Sequence, residues 1–312
     1  MSYESEMLRR FGMPPRKWAS QTLMRVLLKH GGVVKEFASG QQVVREIADE
    51  LGLDERQRSA CLETVYRKDG RLKKSLLWHR LLFRAADALA RHGLVSRPTQ
   101  TARLTEQREW MLTEKGLDEA LGLCGIPAEK KESLPLRSYE VQRIASTLAR
   151  FAWAEDYDPF DRGKNTVVRQ EKSTLRGRGF RQAVIDAYDC RCAICGLKIR
   201  SPDALSWEVE AAHIVPSGLL GKDDLCNGIA LCRLHHWAFD VGWLTLLDSY
   251  RVQVSPRVDG LPPTWGRIGG YECIRALAGN PGRIRLPYRE EIYPHPNALR
   301  WHRENVFYGR DR

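Results

Sequence analysis

Trp207-Glu-Val-Glu-Ala-Ala-His213-Ile-Val-Pro216, Asn227-Gly-Ile-Ala-Leu-Cys232 and His235-His236-Trp-Ala-Phe-Asp240-Val-Gly242 are the three blocks whose reading decides the fold of the C-terminal half. His213 ends a strand in this reading. His236 and Asp240, four residues apart, share one face of a helix, so an imidazole and a carboxylate can approach a single cation from that face. His235 and His236 point about 100° apart around the same helix, which lets each serve a different metal.

Outward from these blocks, the eight cysteines divide into two groups. Cys61, Cys124 and Cys273 are isolated and are expected to pack as small buried hydrophobes. Cys190, Cys192, Cys195, Cys226 and Cys232 fall within one stretch that also holds His213, His235 and His236. Within it, Cys192-Ala-Ile-Cys195 and Cys232-Arg-Leu-His235 each place two ligands on one tight turn, and together they make a closed tetrahedral set. Three thiolates with an imidazole favour Zn²⁺, and a closed shell implies a structural metal whose binding helps fold a small irregular module. A redox Cys-x-x-Cys would not call for the second pair, while Cys190 and Cys226 stand as alternative ligands.

The three blocks, in this order and spacing, resemble the HNH nuclease family with its ββα-metal fold. The match is to the branch carrying EAAHI, NGIALC and HxxFDxG, often attached to restriction modules, and it extends from about Arg176 to Phe307. Phosphodiester hydrolysis needs a base for water, a cation at the leaving oxygen and rigid positioning of both. The resemblance makes His213 the general base, His236 a ligand of a catalytic divalent ion (Mg²⁺ or another divalent cation), and Asn227 the residue that braces the loop between the strands. Asp240 adds a second ligand from the same helix face. Many members carry Asp or His immediately before the base, where this chain has Ala212; strand alternation makes Glu210 the candidate replacement ligand, directly or through water, the alternative being that it pairs with a nearby arginine and fixes the loop. His295 and His302, in a tail resembling the end of the same branch, are expected to be structural or surface residues and not catalytic ones.

The rest of the chain is ordinary for a globular protein, with 43% hydrophobic and 29% charged residues. Fifty Lys and Arg against 39 Asp and Glu give +11, which favours a polyanionic partner. No apolar run reaches membrane-spanning length, and the first residues lack a signal-peptide core, so a cytoplasmic location without membrane contact is expected.

The N-terminal third has helical periodicity at Val43, Val44, Ile47, Ala48 and Leu51, and at Trp78, Leu81, Leu82, Ala85 and Leu89. Leu94-Val95-Ser96 and Trp110-Met111-Leu112 read as strands flanking a polar turn with Arg97, Pro98 and Arg103. Helices followed by a basic hairpin suggest a winged helix, and HGLVSRP leading to REWMLTEKG resembles the N-terminal winged-helix domain of Mrr-type restriction enzymes. In such a fold a helix beginning near Lys73-Lys74-Ser75, with Arg80 and Arg84, would enter the major groove while Arg97 and Arg103 meet phosphates. A helical piece near Tyr139 to Trp153 and an acidic stretch follow. Arg169, Lys172, Arg176, Arg178 and Arg181 then gather positive charge ahead of the cysteines.

The expected architecture is α+β. A winged-helix DNA-binding domain spans 15–124, a helical connector 125–172, and a zinc-braced ββα-metal nuclease domain 173–312. The expected function is metal-dependent cleavage of double-stranded DNA, in restriction or defence, with specificity for modified DNA implied by the Mrr-like module. Cutting of both strands favours a homodimer. Two other readings are a zinc-containing winged-helix regulator with a degenerate nuclease site, which Ala212 motivates, and an RNA-cutting HNH nuclease.

Overall fold

Leu23, Val26 and Leu27 on one helix, Ile47 and Ala48 on a second, and Trp78, Leu82 and Ala86 on a third form inward-facing stripes, and their burial organises the N-terminal half. The computed structural model describes residues 3–38, 40–65, 72–132, 134–151, 153–161, 170–262, 264–265, 267–268, 271–272 and 283–309. It divides into two compact units, Met1–Glu140 and Val141–Arg312.

The first unit runs α1 (Tyr3–Arg10), α2 (Arg16–Lys29), β1 (Val33–Lys35), α3 (Gln41–Glu50), α4 (Glu55–Ser59), β2 (Cys61–Val65), β3 (Leu72–Leu76), α5 (Leu77–Arg91), β4 (Val95–Ser96), α6 (Pro98–Thr105), β5 (Glu109–Leu112) and α7 (Glu114–Leu123). An antiparallel sheet of order β1-β5-β4 backs the helices. Leu23 and Leu27 are fully buried, and each such side chain contributes roughly 1.5–3 kcal/mol. Gly116 lets α7 close on the sheet, since a Cβ there would lie 1.8 Å from the Leu94 carbonyl oxygen.

Several local expectations give way to longer-range pairing. Lys73, Lys74 and Ser75 do not start a helix: they lie on β3, paired with Thr64, Glu63 and Leu62, and the helix begins only at Leu77. The segment between β4 and β5 is not a simple turn but α6, with Pro98 at its first position and the Gln100 side chain accepting the Arg97 amide at 2.8 Å. Cys61 is half-buried on a hairpin edge and Cys124 is exposed at the end of α7, so neither is the core residue expected. Cys273 and Arg169 lie outside the described residues.

The second unit begins within α8 (Tyr139–Leu148), which stops short of Trp153, and continues through α9 (Gln170–Ala187), β6 (Glu210–His213), β7 (Gly228–Leu231), α10 (Arg233–Asp240), β8 (Leu244–Leu246), β9 (Val252–Val254) and α11 (Pro296–Asn305). β6 and β7 are antiparallel, with Glu210 opposite Leu231 and His213 opposite Gly228, and α10 follows at once. Phe180 and Val184 of α9 cover this hairpin. They can do so because Gly228 has no side chain: a Cβ would come within 2.5 Å of Val184 Cγ2 and 3.0 Å of Phe180 Cε2. Among the described residues no helix is long and apolar enough to cross a membrane.

Buried His302 of α11 ties the end of the unit to its centre. Its Nε2 lies 3.1 Å from the Phe239 carbonyl, which can only accept, so Nε2 carries the proton and Nδ1 accepts from the Thr245 hydroxyl at 3.0 Å. Burial pushes its pKa down to about 4 from 6.5, against the opposing pull of the Phe239 carbonyl. The unfolded chain therefore binds a proton near pH 6.5 that the folded one refuses until about 4. This contribution is complete above 6.5 and is lost as pH falls from 6.5 to 4, up to about 3 kcal/mol. Urea unfolding of the second unit should show stability dropping across that window, with a shallower drop in His302→Gln. Parallel curves for the two proteins would remove His302 as the cause.

Candidate active site

Two turns of chain converge first on a cluster of sulfur and nitrogen atoms. Cys192 and Cys195 follow α9, and Cys232 caps α10 so that His235 falls one turn later on the same side. Their ligand atoms all lie within 4.8 Å of one another. His235 Nδ1 is 3.0 Å from Cys232 Sγ and 3.6 Å from Cys192 Sγ, and Cys195 and Cys232 are 4.0 Å apart. A tetrahedral ion with bonds of ~2.0–2.3 Å needs ligand atoms ~3.5–3.8 Å apart, so this set could hold zinc. Hydrogen bonds from Cys195 and Cys232 hold the Cys192 thiol well below its usual range, the direction that favours a thiolate. Cys226 is buried elsewhere, its thiol facing the Glu291 carbonyl at 3.8 Å.

The adjacent histidine turns away from that cluster. His213, His236 and Asp240 line one cleft of about 240 Å³, together with Ala211, Ile214, Pro216, Ser217, His302 and Val306. His236 sits between two carboxylates, with Nδ1 2.9 Å from Glu210 Oε2 and Nε2 3.4 Å from Asp240 Oδ2. Glu210 also meets Arg233 at 3.3 Å. Burial pushes the Asp240 carboxyl above its ordinary range, while the nearby His236 and His213 pull it back. Ala212 is fully buried in the core, so that position offers the cleft no ligand.

His213 is fixed from two sides. Its ring stacks on Phe180 with centroids 4.1 Å apart and planes 19° apart, and its Nε2 lies 3.0 Å from Asp223 Oδ1. Asn227 is fully buried and works on backbone: Oδ1 accepts the Val215 amide at 2.8 Å, and Nδ2 donates to the carbonyls of Val215 and Lys222 at 3.0 Å each. Sequence reasoning overlooked Asp223 and Phe180. The Asp223-Asp224 pair beside Asn227 was the available signal, whereas nothing local marked Phe180 as the partner of a histidine on another element.

The cationic residues are placed less uniformly. Arg176 of α9 lies 3.7 Å from Asp223 Oδ2, Arg178 is buried, and Arg181 is exposed. In the first unit Arg80 and Arg84 both bind the buried Glu4 carboxylate at 2.8 Å, Arg97 pairs with Asp87 at 2.7 Å, and Arg103 is exposed on α6. Lys74 is exposed on β3, 3.9 Å from Glu63, and the side chain of Lys73 lies outside the described residues.

Residues 192–247 match the family model described as HNH endonuclease. Among solved structures, the chain is similar to "Modification dependent TagI restriction endonuclease", with 21% identity over 45% of this chain and 44% of that one and a TM-score of 0.30. The likeness thus spans less than half of that protein. No curated protein matches this chain. Residues 192–247 form an HNH endonuclease domain that contains the Cys/His cluster and lines the cleft.

Proposed function

We propose that this chain is a divalent-cation-dependent endonuclease that hydrolyses phosphodiester bonds of double-stranded DNA in the cleft between the β6–β7 hairpin and α10. The observation that carries the reading is the sharing of one cleft by His213 and the His236–Asp240 pair. His213 accepts the proton of the attacking water as general base, which requires a neutral imidazole with one open nitrogen. His236 Nε2 and Asp240 would hold the cation, and two protein ligands leave room for water and phosphate oxygens. When bound, such an ion stabilises charge developing on the phosphate and leaving oxygen. Glu210 occupies the opposite nitrogen of the His236 ring from Asp240, so it orients the ligand instead of joining the same ion. Asn227 keeps the connecting loop in shape.

The Cys192, Cys195, Cys232 and His235 cluster is read as a structural zinc site that braces the start of α10. The first unit is read as a winged helix that positions duplex DNA, supported by the sheet order β1-β5-β4 and by α5 with α2 and α3 behind it. Since Glu4 occupies Arg80 and Arg84, the exposed Lys74 and Arg103 are the better candidates for phosphate contact. Restriction of foreign, modified DNA is the biological role proposed.

Incubation of the purified protein with plasmid DNA of several methylation states, with Mg²⁺ or Mn²⁺, should give nicked and linear products. His213→Ala should lower cutting by about 10²–10⁴-fold while leaving the folded protein intact. Wild-type rates in that variant would refute the base. Tight binding with no cutting in any modification state would favour a DNA-binding regulator, and faster digestion of single-stranded RNA would favour an RNA nuclease. Separately, Cys195→Ala should show less zinc by elemental analysis and a lower unfolding midpoint; unchanged zinc content would exclude the assigned ligand set.

A further inference from the structure

Asp223 belongs to the loop between β6 and β7, two residues after the isolated Phe160–Gly221 bridge; it is 8% exposed and faces the His213 ring. Its position is set by both neighbours. Asn227 Nδ2 donates to the Lys222 carbonyl at 3.0 Å, and Asp224 Oδ1 accepts from the Tyr157 hydroxyl at 2.7 Å and from the Asn227 amide at 3.1 Å. The intervening Asp223 is thereby clamped with Oδ1 3.0 Å from His213 Nε2, while Arg176 approaches Oδ2 at 3.7 Å.

We propose that Asp223 is a positioning residue that selects the Nε2–H tautomer of His213 and leaves Nδ1 as the ring's basic nitrogen in the cleft. The assignment rests on His213 being the base, as argued above. The physical step is short. An ionised carboxylate accepts hydrogen bonds and donates none, so the ring nitrogen facing it must carry the hydrogen. In a neutral imidazole the other nitrogen then holds the lone pair. Among the described residues no hydrogen bond reaches Nδ1, and Phe180 covers one face of the ring. Arg176 approaches the far oxygen of the buried carboxylate and offsets its charge. A ring free to adopt either tautomer would present a donor to the attacking water for part of the time, which blocks proton abstraction.

The test is the ring ¹⁵N spectrum of His213 in the full chain, assigned by its absence from His213→Ala, combined with plasmid cutting. The wild-type ring should be protonated at Nε2. Asp223→Asn, whose amide can present a donor, should populate the Nδ1–H form and reduce cutting by about 10²-fold or more. Asp223→Ala is the second variant, and formate added to it should restore part of the lost rate by refilling the carboxylate position. A wild-type ring protonated at Nδ1 overturns the proposal, as does a folded Asp223→Asn protein that keeps the tautomer and cuts within about twofold of wild type. The tautomer is read without any substrate, so a protein that cuts no nucleic acid would end the nuclease reading while the spectrum still decides the role of Asp223.

Discussion

The second unit depends on one fully buried amide. The chain between β6 and β7 leaves the hairpin for more than a dozen residues, and backbone groups there need partners that the β6–β7 ladder does not supply. Asn227 supplies them, with its acceptor on the Val215 amide and its two donors on the carbonyls of Val215 and Lys222. An apolar residue of similar size would leave three backbone groups unmet, the two buried ones on Val215 each costing roughly 1–3 kcal/mol. Gly221 adds a steric condition, since a Cβ there would lie 1.9 Å from the Val215 carbonyl oxygen. The loop is therefore closed on itself at two points, and Asp223 hangs between the anchored residues on either side. The position of His213 follows from this loop as much as from the strand that carries it.

Helix α10 does a second piece of organising with very little sequence. Cys232 at its start and His235 in its first turn face the thiol cluster, while His236 and Asp240 face the cleft. The two adjacent histidines diverge because successive helical residues are about 100° apart. Whatever fixes His235 also fixes the rotation of the helix about its axis, and hence the direction of His236. A helix of eight residues is too short to hold its own geometry in water, so its rigidity must come from these ends and from buried Ala238 and Phe239.

The parts of the site legible in the sequence are those whose geometry is local. Cys-x-x-Cys, Cys-x-x-His and an i, i+4 His–Asp pair each fit on one turn, so spacing alone implies proximity. The strand ending at His213 was legible for the same reason, whereas the strand after Asn227 was implied only by the family resemblance. Asp223 was not, because its relation to His213 is created by the shape of the loop, which depends on a hydrogen bond from Tyr157 many residues earlier. The ion pairs of Arg80 and Arg84 with Glu4 escaped for the same reason, with more than seventy residues between partners. Lys73 to Ser75 look like the first turn of an amphipathic helix, but pairing with Leu62 to Thr64 wins them for a hairpin. Propensity is a weak prior against a ladder of backbone hydrogen bonds.

The charge distribution of the cleft opposes that of the chain as a whole. A surplus of eleven positive charges draws a polyanion toward the protein, but the groups nearest the two imidazoles are carboxylates: Asp223 on one, Glu210 and Asp240 on the other. A phosphodiester brought to this cleft by long-range attraction would meet these carboxylates over the last few ångströms, offset in part by Arg176 beside Asp223 and Arg233 beside Glu210. Burial pushes Asp240 toward its neutral form even though about half of its side chain stays exposed, because the wall of the cleft replaces solvent on one side. Opposite charge between Asp240 and His236 Nε2 would remove both penalties together, ionising the carboxylate and reversing the sign that an incoming phosphate sees. Under the proposed function, the same carboxylates would thus make phosphate entry depend on a cation between His236 and Asp240.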